Sequence, residues 1–234
     1  MKTLLIVFFA LTGTAALSQQ TIDVDKMDNL PMNSFYTIGG SPVLTARFVR
    51  LVSGSPYFSE KWMKVVALSP KGERYRSPKA KLDLFENQLY FLNNEEQEFT
   101  VTIPLKEIIL TDTVTGSSYR FVQSSALPFS AGIKKGWYQV LAEGKAPLYK
   151  RYNKVLSENK PYGASTAEQT INTSEEVLLG YNNALHSIKR PKDVATILSD
   201  KKAALETYLQ TEAAKKITQT DKIVSLVTYY NSLQ

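Results

Sequence analysis

Trp62-Met63-Lys64-Val65-Val66-Ala67-Leu68-Ser69-Pro70-Lys71-Gly72 opens the run whose reading decides the fold. In an extended chain Trp62, Lys64, Val66 and Leu68 share one side and Met63, Val65 and Ala67 the other, so this strand is expected to be buried on much of both faces. Ser69-Pro70-Lys71-Gly72 then turns the chain. Beyond it Ala80, Leu82 and Leu84 alternate with Lys79, Lys81 and Asp83, as a strand with one wet face requires. Glu86-Asn87 leads into residues 89–92. Asn93-Asn94-Glu95-Glu96 leads into Phe99, Val101 and Ile103, which alternate with Glu98, Thr100 and Thr102. Strands joined by such short turns predict an antiparallel meander.

Working outward, residues 43–52 repeat a strand-like pattern and Gly54-Ser55-Pro56 ends it. Ile108-Ile109-Leu110 and Tyr119-Arg120-Phe121 read as a hairpin, and so do residues 137–142 and 147–155 around Glu143-Gly144-Lys145. About eight or nine strands without an intervening helix favour a barrel-like or strongly curved sheet, because closure removes exposed edges. Residues 157–174 change composition, with Pro161, Gly163 and many small polar side chains, and read as a linker or long loop. A last hairpin is expected around Asn182-Asn183. From Pro191 the period becomes helical: Val194, Ile197 and Leu198, then Leu205, Tyr208, Leu209 and Ala213 after a Ser199 cap, then Ile223, Leu226, Val227 and Tyr230 after a Thr220 cap. The expected class is α+β. A mainly antiparallel β body spans 19–156, and a hairpin with a bundle of three short helices spans 175–234.

Residues 1–18 are read apart from the fold. Lys2, the apolar run 4–11 and Ala16-Leu17-Ser18 have the layout of a signal peptide cleaved before Gln19, which implies a periplasmic or secreted protein. The apolar run falls short of the roughly 20 residues that span a bilayer, so no transmembrane segment is expected, and envelope contact would be peripheral. The sequence has no Cys, which removes thiol catalysis, disulfides and thiolate metal sites. With 28 basic and 22 acidic side chains the formal charge is +6. That mild excess favours anionic surfaces only weakly and, with no accompanying motif, argues against nucleic acid.

No catalytic constellation emerges. His186 is the single histidine and has no nucleophile elbow to serve. Glu95-Glu96, Glu175-Glu176 and Asp83 with Glu86 are paired only by adjacency, whereas glycoside hydrolysis needs two carboxylates held across a cleft. The acidic run 23–28 lacks the central Gly of a calcium loop, and Gly39-Gly40, Gly132 and Gly136 do not make a phosphate loop. No metal or cofactor is expected. The interaction candidate is Tyr149-Lys150-Arg151-Tyr152-Asn153-Lys154, where Tyr149 and Arg151 share one face of a strand and Tyr152 and Lys154 the other. Such a surface would hold an anionic glycan or an envelope protein by charge and stacking; strand burial of the rings competes with that use.

Gly54-Ser55-Pro56-Tyr57-Phe58 followed by Trp62, Leu82-x-Leu84-Phe85-x-Asn87-x-Leu89-x-Phe91, Tyr138-x-Val140-Leu141-Ala142-Glu143-Gly144-Lys145 with Leu148-x-Lys150, and Tyr229-Tyr230-Asn231-Ser232-Leu233 resemble a group of exported, uncharacterised proteins of Bacteroidota. The resemblance implies an envelope or secreted protein with a β-rich body and a helical tail, and it transfers no activity. The sequence thus favours a non-catalytic binding module. A hydrolase acting on envelope glycans or peptides is the alternative, and a subunit of a larger assembly a third reading.

Overall fold

A computed structural model describes residues 21–23, 36–38, 49–160, 162, 167–211 and 217–233. The signal-peptide reading, Gly39-Gly40, Ala213 of the second helical stripe and most of the acidic run 23–28 lie outside those residues. The fold is α+β. Thirteen strands form one mostly antiparallel sheet: β1 Thr21–Asp23, β2 Tyr36–Ile38, β3 Val49–Ser53, β4 Met63–Leu68, β5 Arg74–Asp83, β6 Gln88–Leu92, β7 Glu98–Val101, β8 Glu107–Thr111, β9 Ser118–Gln123, β10 Trp137–Ala142, β11 Leu148–Asn159, β12 Ala167–Tyr181 and β13 Ala184–Ile188. Their order is β13-β12-β11-β10-β9-β8-β4-β5-β6-β7-β2, with β1 added parallel to β5 and β3 parallel to β12.

Two meanders are therefore joined by one crossing. After β7 the chain does not turn back beside it but returns to β4, where Lys106 N donates to Leu68 O at 2.8 Å and β8 pairs. The sheet curves strongly without closing among the described strands. Its curvature is visible where Trp137 of β10 meets Asn87 before β6, although β10 and β6 are five positions apart in the sheet order.

One core fills the inside of the curl. Met63, Val65 and Ala67 of β4, Ala80 and Leu82 of β5, Phe91, Phe99, Ile108, Leu110 and Phe121 all point into it. Phe58 lies among them, its ring 4.9 Å from those of Tyr119 and Phe121 and 5.7 Å from that of Tyr152. The opposite side of β4 differs from the expectation: Lys64 is exposed and Val66 and Leu68 only half-buried, because that face is the outside of the curl. On β5 Ala80 and Leu82 are buried and Lys79 is exposed, as expected, and Leu84 is buried just past its end, but Asp83, expected on the wet face, is buried because the segment at Tyr57 bridges to it.

Inside the stretch read as a linker, Ser157–Asn159 and Ala167–Ser174 are paired strand. β11 and β12 run together from Leu148↔Leu179 to Asn159↔Glu168 as a long arm, whose far end β3 joins from Ala167↔Val49 to Thr170↔Ser53. Asn182 and Asn183, at φ 48° and 60°, make the tight turn to β13.

The helices are α1 Pro191–Ile197, α2 Lys202–Leu209 and α3 Gln219–Ser232. Pro191 sits in the first turn of α1, as its fixed φ favours. Ser199 opens a short 3-10 turn rather than capping α2. Thr218, not Thr220, caps α3: its Oγ1 accepts from Asp221 N at 3.2 Å and donates to Asp221 Oδ2 at 2.7 Å, a reciprocity Thr220 cannot have from inside the helix. Ile223, Leu226, Val227 and Tyr230 are the buried stripe of α3. They pack with Val194, Leu198 and Leu205 against Leu148, Leu179 and Ile188, so the helices cover one face of β11 to β13. Tyr208 and Tyr229 stack at 4.5 Å, and the Tyr230 hydroxyl donates to Asp200 at 3.0 Å. Asn231 completes the attachment. Its Nδ2 donates to Glu143 O at 2.9 Å and Ala146 O at 3.1 Å, and its Oδ1 accepts from Ala146 N at 3.0 Å. Leu127, Tyr138, Tyr149, Leu178 and Leu185 form a third core on the opposite face. Among the described residues no helix is long and apolar enough to cross a membrane.

Candidate functional site

Trp137 is the partition around which two recesses form. It starts β10, paired with Gln123 of β9, and its indole Nε1 donates to Asn87 O at 3.4 Å. Asn87 stands in the turn between β5 and β6 at φ 61°. Asp83 fastens that turn: its Oδ1 accepts from Phe85 N at 2.8 Å and Glu86 N at 2.7 Å. Burial pushes the Asp83 carboxyl above its ordinary value, against the pull of those two N–H groups and of Lys154. Beside Trp137, Gly136 has φ 132°, and a Cβ there would lie 2.8 Å from Asn87 Oδ1. At that φ any other side chain is strained, and its Cβ would push the amide aside.

On one side of Trp137 is a cleft of about 540 Å³. The crossing between β7 and β8 supplies one wall, through Thr102, Ile103, Pro104 and Leu105, and Asn87, Gln88, Gln123 and Ser125 line the rest. No charged side chain lines it among the described residues. Thr100 lines it too. Among the described residues Thr100 Oγ1 is the one buried side-chain oxygen or nitrogen without a hydrogen-bond partner. Carboxamides and hydroxyls both donate and accept, so this wall suits a ligand rich in hydroxyl groups. Its volume is within the range of small-molecule sites, roughly 300–1,000 Å³.

On the other side is a polar recess of about 100 Å³ that shares Asn87 and Trp137 with the cleft. It exists because the sheet splits. β10 and β11 pair as far as Gln139↔Lys150 and no further toward Trp137, while β11 continues with β12 alone. Lys135, Arg151, Asn153 and Lys154 line the opening. Lys154 Nζ donates to Ser55 O at 2.8 Å and Tyr57 O at 3.0 Å, and burial holds its ammonium below the ordinary lysine range while Asp83 and Glu60 pull it back up. Arg151 is 15% exposed, with Nη1 3.6 Å from Glu176 Oε2, a carboxylate that Lys134 also approaches at 3.7 Å. Lys135 is exposed and enters no ion pair among the described residues.

Three of the four residues singled out in the sequence thus line this recess: Arg151, Tyr152 and Lys154. Tyr149 does not join them. It is 7% exposed, in edge contact with Phe129 and Tyr138. Nor is Tyr152 a surface platform, since its ring meets Phe58 and its hydroxyl donates to Gln139 Oε1 at 2.7 Å. Sequence reasoning missed Trp137, Asn87, Thr100 and Gln123. The juxtaposition of Trp137 with Asn87, fifty residues earlier, is a tertiary fact.

The other candidates have ordinary partners. His186 Nε2 lies 3.1 Å from Tyr181 O. Glu96 pairs with Lys79 at 2.6 Å and Glu175 with Lys150 at 2.7 Å. Among the described residues no group of three or more His, Asp or Glu side chains could hold a metal ion. The chain matches no protein family, no curated protein and no solved structure.

Proposed function

We propose that the protein is an exported, non-catalytic binding module of the envelope or the secreted fraction, and that its ligand is a glycan held in the cleft beside Trp137. The observation that carries this reading is the cleft wall. Its hydrogen-bonding side chains are all uncharged, and a buried indole adjoins them. The leader-like residues 1–18 and the resemblance to exported Bacteroidota proteins support the exported part of the reading.

Tryptophan fluorescence tests it. The sequence has two Trp residues, so Trp62→Phe leaves Trp137 as the only indole. Titrating residues 19–234 of that variant with soluble neutral oligosaccharides is expected to give a saturable change in emission for at least one sugar class. A full oligosaccharide panel that leaves Trp137 emission unchanged would overturn the proposal.

A further inference from the structure

We infer that the recess between β10 and β11 is a subsite for an oxyanion carried by the glycan, so that the protein prefers acidic sugars over their neutral counterparts. The inference rests on the glycan reading of the cleft and names the substrate class within it.

Size is the first argument. A recess of about 100 Å³ is too small for a sugar ring with its substituents but accommodates one carboxylate, sulfate or phosphate group. Composition is the second: Lys135, Arg151 and Lys154 line it together with Asn87 and Asn153, Arg151 and Lys154 from opposite faces of β11. The acids facing them cancel only part of this charge. Glu176 is shared between Arg151 and Lys134 at 3.6 and 3.7 Å, and Asp83 and Glu60 act on Lys154, so of the four cations Lys135 is left without a carboxylate partner among the described residues. Donor capacity is the third argument. Lys154 uses two of its three donors on Ser55 O and Tyr57 O, and Arg151 has five donors against a single long contact. Guanidinium and ammonium groups in a narrow, partly desolvated opening favour an oxyanion by charge-assisted hydrogen bonds. Position is the last. Asn87 and Trp137 line both spaces, so a ring seated in the cleft can present its substituent past the indole.

Calorimetric titration of residues 19–234 against matched oligosaccharides, each neutral or carrying one uronic carboxylate, sulfate ester or phosphate ester, tests the inference and tells the three oxyanions apart. At least one acidic member is expected to bind about tenfold more tightly than its neutral parent at low salt, with the preference shrinking at physiological ionic strength. Lys135→Gln, at an exposed position that no described ion pair uses, is expected to reduce the preference, and Lys135→Gln with Arg151→Gln to abolish it while leaving neutral-sugar affinity unchanged. A wild-type protein that binds neutral and acidic members equally, or a double variant that keeps the preference, would overturn the inference and leave the cleft reading standing. Inorganic sulfate and phosphate probe the recess without the cleft. At millimolar concentration at least one is expected to raise the melting temperature of the wild type and not of the double variant. If neither salt raises it, the subsite is contradicted whatever the sugars do; if one does and no sugar binds, the cleft reading fails instead.

Discussion

Lys154 Nζ lies 2.8 Å from the carbonyl oxygen of Ser55, a residue ninety-nine positions earlier in the chain, and 3.0 Å from that of Tyr57. The segment between these contacts and Trp62 runs along the end of β5, where Phe58 N donates to Leu82 O and Leu84 N to Pro56 O, both within 2.9 Å. One ammonium therefore joins the long arm to the curled half of the sheet. Lys154→Met keeps the stem and removes the donors, leaving two carbonyls with nothing to accept from. A loss of about 2 kcal/mol is expected, read as a lower denaturation midpoint at unchanged slope. A midpoint within error of the wild type would mean that the arm is not held by this contact.

Asp83 gives a pH signature. Its folded carboxyl is raised above 3.8, so between that value and its folded pKa the folded chain binds more protons than the unfolded one. Its contribution to stability is then largest below pH 3.8 and declines as pH rises through that window. Asp83→Asn keeps the oxygen that accepts from Phe85 and Glu86. The variant is expected to gain stability relative to the wild type as pH rises from below 3.8 toward neutrality. Denaturation across that range checks the sign, and a relative loss would contradict the account.

Gly144 and Asn231 are coupled. A Cβ on Gly144, at φ 132°, would lie 2.4 Å from the Asn231 side-chain carbon, and Asn231 carries the three hydrogen bonds that dock α3 on the β10–β11 turn. Asn231→Ala is expected to cost about 2 kcal/mol. Gly144→Ala is expected to cost a similar amount in the wild type and less in the Asn231→Ala background, because the clashing group is gone. Strict additivity in the double-mutant cycle would show that the two residues do not meet.

Phe58 tests the inner core. Truncation to Ala removes a ring that touches Tyr119, Phe121 and Tyr152, and about 3 kcal/mol is the expected loss. A near-neutral effect in chemical denaturation would mean that the curl does not close over this ring.

How far the sequence foretold this depends on how each element is buried. β5 was legible because Ala80, Leu82 and Leu84 are buried while Lys79 is exposed and Lys81 half-buried, and one-sided burial writes a period of two into the chain. β4 was legible as a strand but not in its faces, since apolar Val66 and Leu68 lie on the outer side of the curl. The arm was hidden for the opposite reason. Asn172, Thr173 and Ser174 are exposed in a ribbon held by backbone pairing, and a ribbon with little to bury carries no hydrophobic period. α3 announced its stripe but not its cap, because Thr218 and Thr220 are equally suitable by type and only the reach to Asp221 separates them. At the site, Arg151, Tyr152 and Lys154 stood out by their interleaved charge and aromaticity. Their partners did not, because the recess arises where the β10–β11 register stops and the cleft where Trp137 meets Asn87, fifty residues away.

Thr102 offers the most direct test of a glycan in the cleft. It is exposed on the crossing that walls the cleft, so Thr102→Val removes a hydroxyl that a ligand can reach while preserving shape. Measuring stability and oligosaccharide affinity on the same variant separates folding from binding. The account predicts unchanged stability together with about fivefold weaker sugar binding, the worth of one hydrogen bond. Undiminished sugar affinity in a stably folded variant would contradict it, because the cleft wall would then not be holding a ligand.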